Sequence, residues 1–188
     1  ARRSAKLPAT QKPPALTEEQ QAALDRIASD GMGNFSAYLL HGVTGSGKTE
    51  VYLRLVERAL AAGRQVLLLV PEINLTPQLE ARVAARFPDA GLTSLHSELT
   101  EAARTRNWRA ALDGSARIVL GTRLAIFTPL PDLGLIVVDE EHDASFKQQD
   151  GMRYSARDVA VFRARERGIP IVLGSATPSL ESWANATD

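Results

Sequence analysis

The stretch "GVTGSGKT", residues 42–49, constrains the fold of this chain more than any other feature. It matches the pattern G-x-x-x-x-G-K-[ST] and lies between an apolar run, "FSAYLLHG", and the start of an amphipathic run, "EVYL". The glycines allow successive backbone amides to turn inward and bind an anion at the start of a helix. We therefore predict a strand, a phosphate-binding loop and a helix, and with them a nucleoside triphosphate site.

The side chains of this loop have distinct expected roles. Lys48 would reach the β and γ phosphates of the nucleotide, and Thr49 would ligate Mg²⁺. The predicted nucleotide contacts in the loop are Gly42, Thr44, Gly45, Ser46, Gly47, Lys48 and Thr49. The alternative is a glycine-rich turn with a chance lysine, which the flanking strand and helix disfavour.

A second stretch, "LGLIVVDEEH" at residues 133–142, ends an apolar run in three consecutive carboxylates. Beside a phosphate-binding loop, Asp139 is predicted to hold Mg²⁺. Glu140 is predicted to orient and deprotonate the attacking water, because that task needs an acceptor near the metal but not bonded to it. With Lys48, these two acids are the candidate catalytic residues. The alternative is a solvated loop of charges, and we expect only a coupling role for His142.

Short apolar runs alternate with amphipathic stretches along the rest of the chain, which predicts a doubly wound α/β domain. The predicted strands are "FSAYLLHG", "RQVLLLVP", "GLTSLH", "ARIVLGT", "LGLIVVDE" and "PIVLGSA". Several of them are apolar on both faces, as strands are when helices cover both sides of a sheet. We therefore expect a central, mostly parallel sheet with helices on both faces, whose ligands bind at the carboxyl ends of the strands.

Helix boundaries are also marked in the sequence. Thr17 and Gln20 have the spacing of a capping box, and Gly31 is placed to end the helix that follows. In "TPQLE" and "TPSLE", Thr76 and Thr177 are predicted N-caps, each followed by proline at the first helical position.

The first 15 residues, "ARRSAKLPATQKPPA", contain four cations, three prolines and no acid, so they are predicted to be a flexible basic linker. The ordered domain is expected over residues 16–188. Because the chain begins with Ala and stops soon after a helix signal, we expect it to be a piece of a longer protein.

Composition excludes several classes of function. The chain has no cysteine, which excludes disulfides, thiol nucleophiles and cysteine-ligated zinc within it, and fits a cytoplasmic location. Lys plus Arg and Asp plus Glu both number 22, so any contact with DNA must be local. No apolar run approaches the roughly 20 residues of a membrane helix.

The motifs "GVTGSGKTEVYL", "DEEH" and "GSATPS" together resemble the first RecA-like motor lobe of superfamily-two helicases. The stretches "VPEINLTPQ", "LHSELTEAARTRNW", "GTRLAIFTPL" and "DEEHDASFKQQDGMRYSARDVAVFRA" closely resemble the bacterial primosomal replication-restart helicases. The resemblance implies an ATP- and Mg²⁺-dependent 3′-to-5′ DNA helicase that acts at stalled forks. The implied partners are single-stranded and forked DNA, single-stranded-DNA-binding protein and other primosome proteins, with no membrane. Zinc is implied only in a module of the second lobe, outside these residues.

The resemblance also implies residue roles. Gln20 would read the adenine edge, although a capping glutamine explains its position equally well. Thr76, Thr122 and Arg123 would contact the DNA backbone, with Arg123 the preferred phosphate contact. Leu124 stands where family members commonly have serine, so no polar contact is expected there.

Residues 143–157 match the aromatic-rich loop that senses single-stranded DNA in this family. Phe146 and Tyr154 would stack on bases, and Lys147 and Arg153 would attract phosphates. The remaining implied DNA-binding or coupling residues are Gln148 and Gln149 in this loop, and Ser175 and Thr177 in "GSATPS". The alternative is that the aromatic rings pack on their own domain.

Other functions stay open. A P-loop kinase would need an arginine-rich lid, which we do not find in the sequence, and has no need of "GSATPS". A noncatalytic nucleotide-dependent interaction module, and a lobe of another superfamily-two translocase, are the further alternatives. Because arginines of the second lobe complete the ATP site in such motors, we expect this chain alone to bind nucleotide but turn it over negligibly.

Overall fold

A six-stranded parallel sheet forms the centre of the computed structural model, which describes residues 14–29 and 33–187. Its strands are β1 Ser36–His41, β2 Gln65–Leu69, β3 Leu92–Leu95, β4 Ile118–Gly121, β5 Leu133–Val138 and β8 Pro170–Ser175. They lie in the order β1-β8-β5-β2-β4-β3, and each neighbouring pair is parallel. All six predicted strands are therefore confirmed.

Helices cover both faces of this sheet, as predicted. They are α1 Glu18–Ser29, α2 Lys48–Ala61, α3 Pro77–Arg86, α4 Glu101–Leu112, α5 Ala156–Arg167 and α6 Leu180–Thr187. Alternate residues of one strand point to opposite faces, so Val66 and Leu68 of β2 join a core with α1, α2 and α3. Leu67 and Leu69 of the same strand join a second core with α4 and α5.

The burial of each strand follows its place in the sheet. Every residue of the four inner strands β2, β4, β5 and β8 is buried, whereas the edge strands β1 and β3 are partly exposed. This is why the inner strands read as continuous apolar runs in the sequence. The order also places β8 between β1 and β5, the two strands that lead into the phosphate-binding loop and the acidic stretch.

The aromatic-rich loop has secondary structure that the sequence did not indicate. β6 Lys147–Gln148 pairs antiparallel with β7 Tyr154–Ser155 and forms a small hairpin, here called the aromatic hairpin, over residues 147–155. Short 3₁₀ helices follow strands β2 and β4 or precede the hairpin, at Glu72–Asn74, Arg123–Phe127 and Ala144–Phe146.

The helix starts are mostly as predicted. The capping box is present, because Gln20 N donates to Thr17 Oγ1 over 3.2 Å and Thr17 N donates to Gln20 Oε1 over 3.0 Å. Thr76 caps α3, accepting from Leu79 N over 3.2 Å. The prediction that Thr177 caps the last helix is wrong. That helix begins at Leu180, and Ser179 accepts from Ser182 N instead.

Two predictions lie outside the described residues: the helix stop at Gly31 and most of the basic linker, residues 1–13. In the part of the chain that the structure describes, no helix is both long and apolar enough to span a membrane.

Candidate nucleotide and nucleic-acid site

The predicted functional loops leave the same edge of the sheet, because they all follow the carboxyl ends of parallel strands. Gly42 follows β1, Asp139 follows β5, and Ser175 ends β8 between them. Backbone hydrogen bonds hold the loops together: Gly42 N donates to Ser175 O over 3.1 Å, and Glu141 N donates to Gly174 O over 3.0 Å. The sheet therefore brings the phosphate-binding loop and the acidic stretch into one site.

The phosphate-binding loop has the backbone that its glycines predict. Gly45 and Gly47 have φ angles of 82° and 84°, in the left-handed region that favours glycine. Helix α2 begins at the next residue, Lys48, so the loop leads directly into a helix N-terminus. The ammonium of Lys48 turns back over the loop and donates to Gly42 O over 2.7 Å.

The predicted base lies beside this lysine. Glu140 Oε1 is 3.8 Å from Lys48 Nζ, so the acid and the cation predicted to bind phosphate lie side by side. Glu140 is the one residue other than glycine with positive φ, 47°, among the described residues. Such a conformation costs on the order of 1–3 kcal/mol and is common at functional sites. No pattern in the sequence indicated this strain.

Asp139 is held by a residue that no sequence motif indicated. The hydroxyl of Tyr52, on the helix after the phosphate-binding loop, donates to Asp139 Oδ1 over 2.9 Å. Burial raises the pKa of Asp139, and the Tyr52 hydrogen bond opposes that rise. A carboxylate at Asp139, in the loop after β5, and a hydroxyl at Thr49, in the first turn of α2, are oxygen donors of the kind Mg²⁺ uses alongside phosphate and water. The residues present therefore fit this metal.

The third acid of the stretch, Glu141, has a structural environment unlike the other two. Its carboxylate is buried and accepts from Ser179 N over 2.8 Å, Ser182 Oγ over 2.8 Å and Arg157 Nη1 over 3.1 Å. Burial would raise the pKa of Glu141, but these hydrogen bonds and the Arg157 charge bring it below its usual value. Glu141 thus joins the acidic stretch to α5 and α6.

His142 bridges the acidic stretch and the "GSATPS" motif, and its coupling role stays a prediction. His142 Nδ1 lies 2.7 Å from Ser175 Oγ, and His142 Nε2 lies 3.2 Å from Thr177 Oγ1. Thr177 N also donates to Ser175 Oγ over 3.0 Å. The structure therefore brings His142, Ser175 and Thr177 into one cluster, 3.8 Å from the carboxylate of Glu140.

Gln20 serves the capping box and the phosphate-binding loop at once. Besides its two capping contacts, its Nε2 donates to Ser46 O over 2.9 Å. Its amide keeps one further hydrogen and one further lone pair, the pair of groups that an adenine edge needs. Adenine recognition by Gln20 stays a prediction.

Phe146 is not available for base stacking in this structure, so that prediction is wrong here. Its side chain is 1% exposed and packs in the core between the sheet and α5. Tyr154 is half-buried and meets Phe127 edge to face, with ring centroids 5.2 Å apart. The alternative, that these rings pack on their own domain, holds for Phe146 and for the half-buried ring of Tyr154. Phe127 is the neighbouring ring that is more open to solvent, at 46% exposed.

Burial also affects two of the residues that were predicted to contact the DNA backbone. Thr122 is 3% exposed, which removes it as a donor to DNA in this structure. Arg123 is partly buried and donates from Nη1 to the carbonyl oxygens of Ser145 and Lys147, over 3.3 and 3.1 Å. It therefore braces the start of the aromatic hairpin, and its role as a phosphate contact stays a prediction. Thr76 is partly exposed but already caps α3.

The polar residues of the aromatic hairpin are open to solvent. Lys147, Gln149 and Arg153 are exposed, together with Met152 at 77%. Gln148 is partly exposed, and its Nε2 donates to Asp150 O over 2.5 Å. The hairpin thus presents two cations and an amide on one short segment, next to the cluster around His142.

Comparison with known families and proteins identifies helicases. A family model for DEAD/DEAH box helicases matches residues 17–186. The chain is 46% identical to the replication restart protein PriA of Bacillus subtilis, over 93% of this chain and 22% of that protein. It is 53% identical to the PriA protein of Synechocystis, over 90% of this chain and 20% of that protein. The chain therefore spans about a fifth of the length of these relatives.

Solved structures show the same architecture. The structure of RecG bound to a three-way DNA junction has a TM-score of 0.68 and 25% identity, over 93% of this chain and 23% of that one. The DEAD-box helicase Mss116 bound to ssRNA and UDP-BeF has a TM-score of 0.67 over 93% of this chain and 38% of that one. At 18% identity the second likeness shows the fold alone, which is that of a RecA-like helicase lobe.

Proposed function

The chain belongs to the DEAD/DEAH box helicase family, and we propose that it is the ATP-binding motor lobe of a bacterial helicase that restarts replication at stalled forks. The observation that carries the proposal is the approach of Glu140 Oε1 to Lys48 Nζ, 3.8 Å apart, beside the partly buried Asp139. The relatives named for replication restart support the biological role.

In the proposed reaction, Lys48 binds the β and γ phosphates of ATP, and the inward-turned amides of the loop bind the remaining phosphate oxygens. Thr49 and Asp139 would hold Mg²⁺, which neutralises phosphate charge when bound. Glu140 takes a proton from the attacking water as the oxygen of that water bonds to the γ-phosphorus. The bond from that phosphorus to the bridging oxygen breaks, and ADP and phosphate are the products.

The proposed nucleic-acid partner is single-stranded or forked DNA. The exposed cations Lys147 and Arg153 would bind phosphates, and the amides of Gln148 and Gln149 would contact DNA or the γ-phosphate side of the site. His142, Ser175 and Thr177 would relay the presence of DNA to Glu140, because the cluster they form lies 3.8 Å from its carboxylate. Thr76 and Arg123 stay proposed backbone contacts.

The wider role is proposed from the relatives. It comprises 3′-to-5′ polarity, contact with single-stranded-DNA-binding protein and other primosome proteins, and a cytoplasmic location at the bacterial nucleoid. Zinc would be bound in a module of a second lobe and not by this chain. A nucleotide-dependent interaction module and another superfamily-two translocase are the alternatives that the experiments below distinguish.

We expect this chain alone to bind ATP but to hydrolyse it at a negligible rate. Arginines of a second lobe stabilise the charge that develops on the γ-phosphate, and losing such an arginine costs about 10³–10⁵ in rate in comparable systems. The test measures phosphate release by this chain, with and without single-stranded DNA, against a longer protein that includes both lobes. Fast DNA-stimulated hydrolysis by the chain alone would contradict the dependence on a second lobe.

Recognition of DNA is tested separately, by the fluorescence anisotropy of a labelled single strand at low salt, with and without a nonhydrolysable ATP analogue. We expect weak binding, because the net charge of the chain is zero. We expect the binding to be sensitive to salt, because the proposed contacts are between cations and phosphates. The variant Lys147→Ala/Arg153→Ala should lose it. Normal ATP binding with no effect of DNA, in the chain and in the longer protein, would favour the interaction module instead.

A further inference from the structure

Tyr52 is placed where a phenylalanine would pack equally well, but its hydroxyl has one specific partner. Its side chain is 5% exposed, in the core that α1 and α2 form on the sheet. The hydroxyl reaches the end of β5 and donates to Asp139 Oδ1 over 2.9 Å. Among the described residues no other side chain donates to this carboxylate, and its further contact is with the backbone of Glu140. Tyr52 is thus the side chain that fixes Asp139, whose carboxylate keeps lone pairs for another ligand.

The strand between these two residues leaves room for this bond. Gly174 lies on β8, and a Cβ built on it would overlap the Tyr52 hydroxyl and come within 3.4 Å of Asp139 Oδ1. Any residue larger than glycine would push the phenol away from the carboxylate. Residues of α2, of β8 and of the loop after β5 therefore suit the Tyr52–Asp139 contact, and this argues against a chance pairing of a buried hydroxyl.

We propose that Tyr52 is a positioning residue for the metal-binding carboxylate of Asp139. Its hydroxyl bonds Oδ1 and so holds the carboxylate in one orientation at the edge of the site. Tyr52 lies on α2, four residues after Lys48, so the same helix that begins at the phosphate-binding lysine also orients the acid. Movement of α2 would then shift the positions of Lys48 and of the Asp139 carboxylate together.

This inference rests on the proposed function, since it assumes that Asp139 helps to bind Mg²⁺ with a nucleotide. It predicts that Tyr52 matters for nucleotide binding with Mg²⁺ and not for nucleotide binding without it. A purely structural tyrosine would instead change both, or neither. The dependence of binding on Mg²⁺ is therefore the measurement that separates the two roles.

The experiment titrates this chain with a fluorescent ADP analogue, once across a range of MgCl₂ concentrations and once in EDTA. The test variant is Tyr52→Phe, which removes the hydroxyl alone. The matched control is Tyr38→Phe, which removes a hydroxyl from a ring packed against the same core. Thermal unfolding of each variant reports whether the fold is retained, and Asp139→Asn is prepared with and without Tyr52→Phe.

We expect Tyr52→Phe to raise the Mg²⁺ concentration for half-maximal binding about tenfold, the low end for partners of metal ligands. Affinity in EDTA should stay within about twofold of the parent, and Tyr38→Phe should behave as the parent. In the Asp139→Asn background, Tyr52→Phe should add nothing, because its partner is already changed.

An unchanged Mg²⁺ dependence in Tyr52→Phe, or an equal loss of affinity in Mg²⁺ and in EDTA, would overturn the positioning role. An additive effect in the Asp139→Asn background would overturn it as well. If the parent chain itself shows no Mg²⁺-dependent nucleotide binding, then the proposed function fails, and that result is distinguishable because it appears before any variant is compared.

Discussion

Glu141 Oε2 and Arg157 Nη1 form an ion pair 3.1 Å long, with the Glu141 side chain fully buried and that of Arg157 13% exposed. Glu141 belongs to the acidic stretch of the proposed ATP site, and Arg157 to the first turn of α5, directly after the aromatic hairpin. Ser179 and Ser182 complete the network at the start of α6. The pair therefore joins the helix that follows the proposed DNA sensor to the proposed catalytic loop through a buried contact.

Removing the cation should destabilise the fold strongly. Arg157→Ala leaves a buried carboxylate without its charge partner, which typically costs about 3–5 kcal/mol in the free energy of unfolding. The measurement is urea unfolding, followed by circular dichroism. Arg165→Ala, an exposed arginine on the same helix, is the control and should change stability by less than about 0.5 kcal/mol. Equal, small effects of the two substitutions would show that the buried pair contributes little.

The same pair should make stability sensitive to acid. The pKa of Glu141 is lowered from its ordinary 4.5 in the folded chain. The contribution of Glu141 to the free energy of unfolding is therefore fully present above its ordinary pKa of 4.5, and it is lost as the pH falls through the pKa of the folded state. We expect the Glu141→Gln variant to lose less stability than the parent between about pH 5 and pH 3. Parallel curves for the two proteins would contradict this assignment.

The burial of Phe146 has a consequence for stability. Phe146→Ala should cost about 3–5 kcal/mol, because it opens a cavity in the core beneath the aromatic hairpin. Met152→Ala, at a position 77% exposed in the hairpin, is the control and should be nearly neutral. Both are measured by urea unfolding. A small cost for Phe146→Ala, together with loss of DNA binding, would restore the sequence-based expectation that this ring meets bases.

Substitution of Tyr154 should change the stability in the opposite direction to substitution of Phe146. Its hydroxyl is buried with no hydrogen-bond partner among the described residues, and a group in that situation costs about 1–3 kcal/mol in desolvation. Tyr154→Phe should therefore leave the stability unchanged or raise it by up to about 1 kcal/mol. Urea unfolding of the parent and the variant decides the sign. Marked destabilisation would mean that the hydroxyl has a partner after all.

The capping contacts of Gln20 and its contact with the phosphate-binding loop can be separated. Gln20→Ala removes its bond to Ser46 O and its part of the capping box, whereas Thr17→Ala removes only the cap. Each should cost about 1 kcal/mol in stability. Nucleotide affinity should fall about threefold to tenfold in Gln20→Ala alone. Titration with fluorescent ATP and GTP analogues checks this, and equal losses of affinity in both variants would assign Gln20 to capping only.

Much of the fold was predictable, because its signals are local. The inner strands are buried on both faces and so read as unbroken apolar runs, and the glycines of the phosphate-binding loop are required by its backbone. Thr76 was correctly placed as a helix cap for the same reason, since a cap depends on residues three positions away.

The remaining features depend on contacts between residues distant in sequence. Tyr52 and Asp139 are separated by 87 positions, and no local pattern joins them. Phe146 and Thr122 carry side chains suited to nucleic acid, but residue type does not show which way a side chain faces. The sequence indicated which loops follow the strands at this edge of the sheet, whereas tertiary packing decided which of their side chains are exposed.

The most direct test of the central claim is calorimetric titration of this chain with a nonhydrolysable ATP analogue in MgCl₂, for the parent and for Lys48→Ala. The proposed site predicts one nucleotide per chain for the parent and, without the lysine that binds the phosphates, an affinity reduced at least about tenfold. Circular dichroism of both proteins verifies that the fold is retained. Absence of binding by the folded parent, or equal affinity in Lys48→Ala, would contradict the proposed nucleotide site.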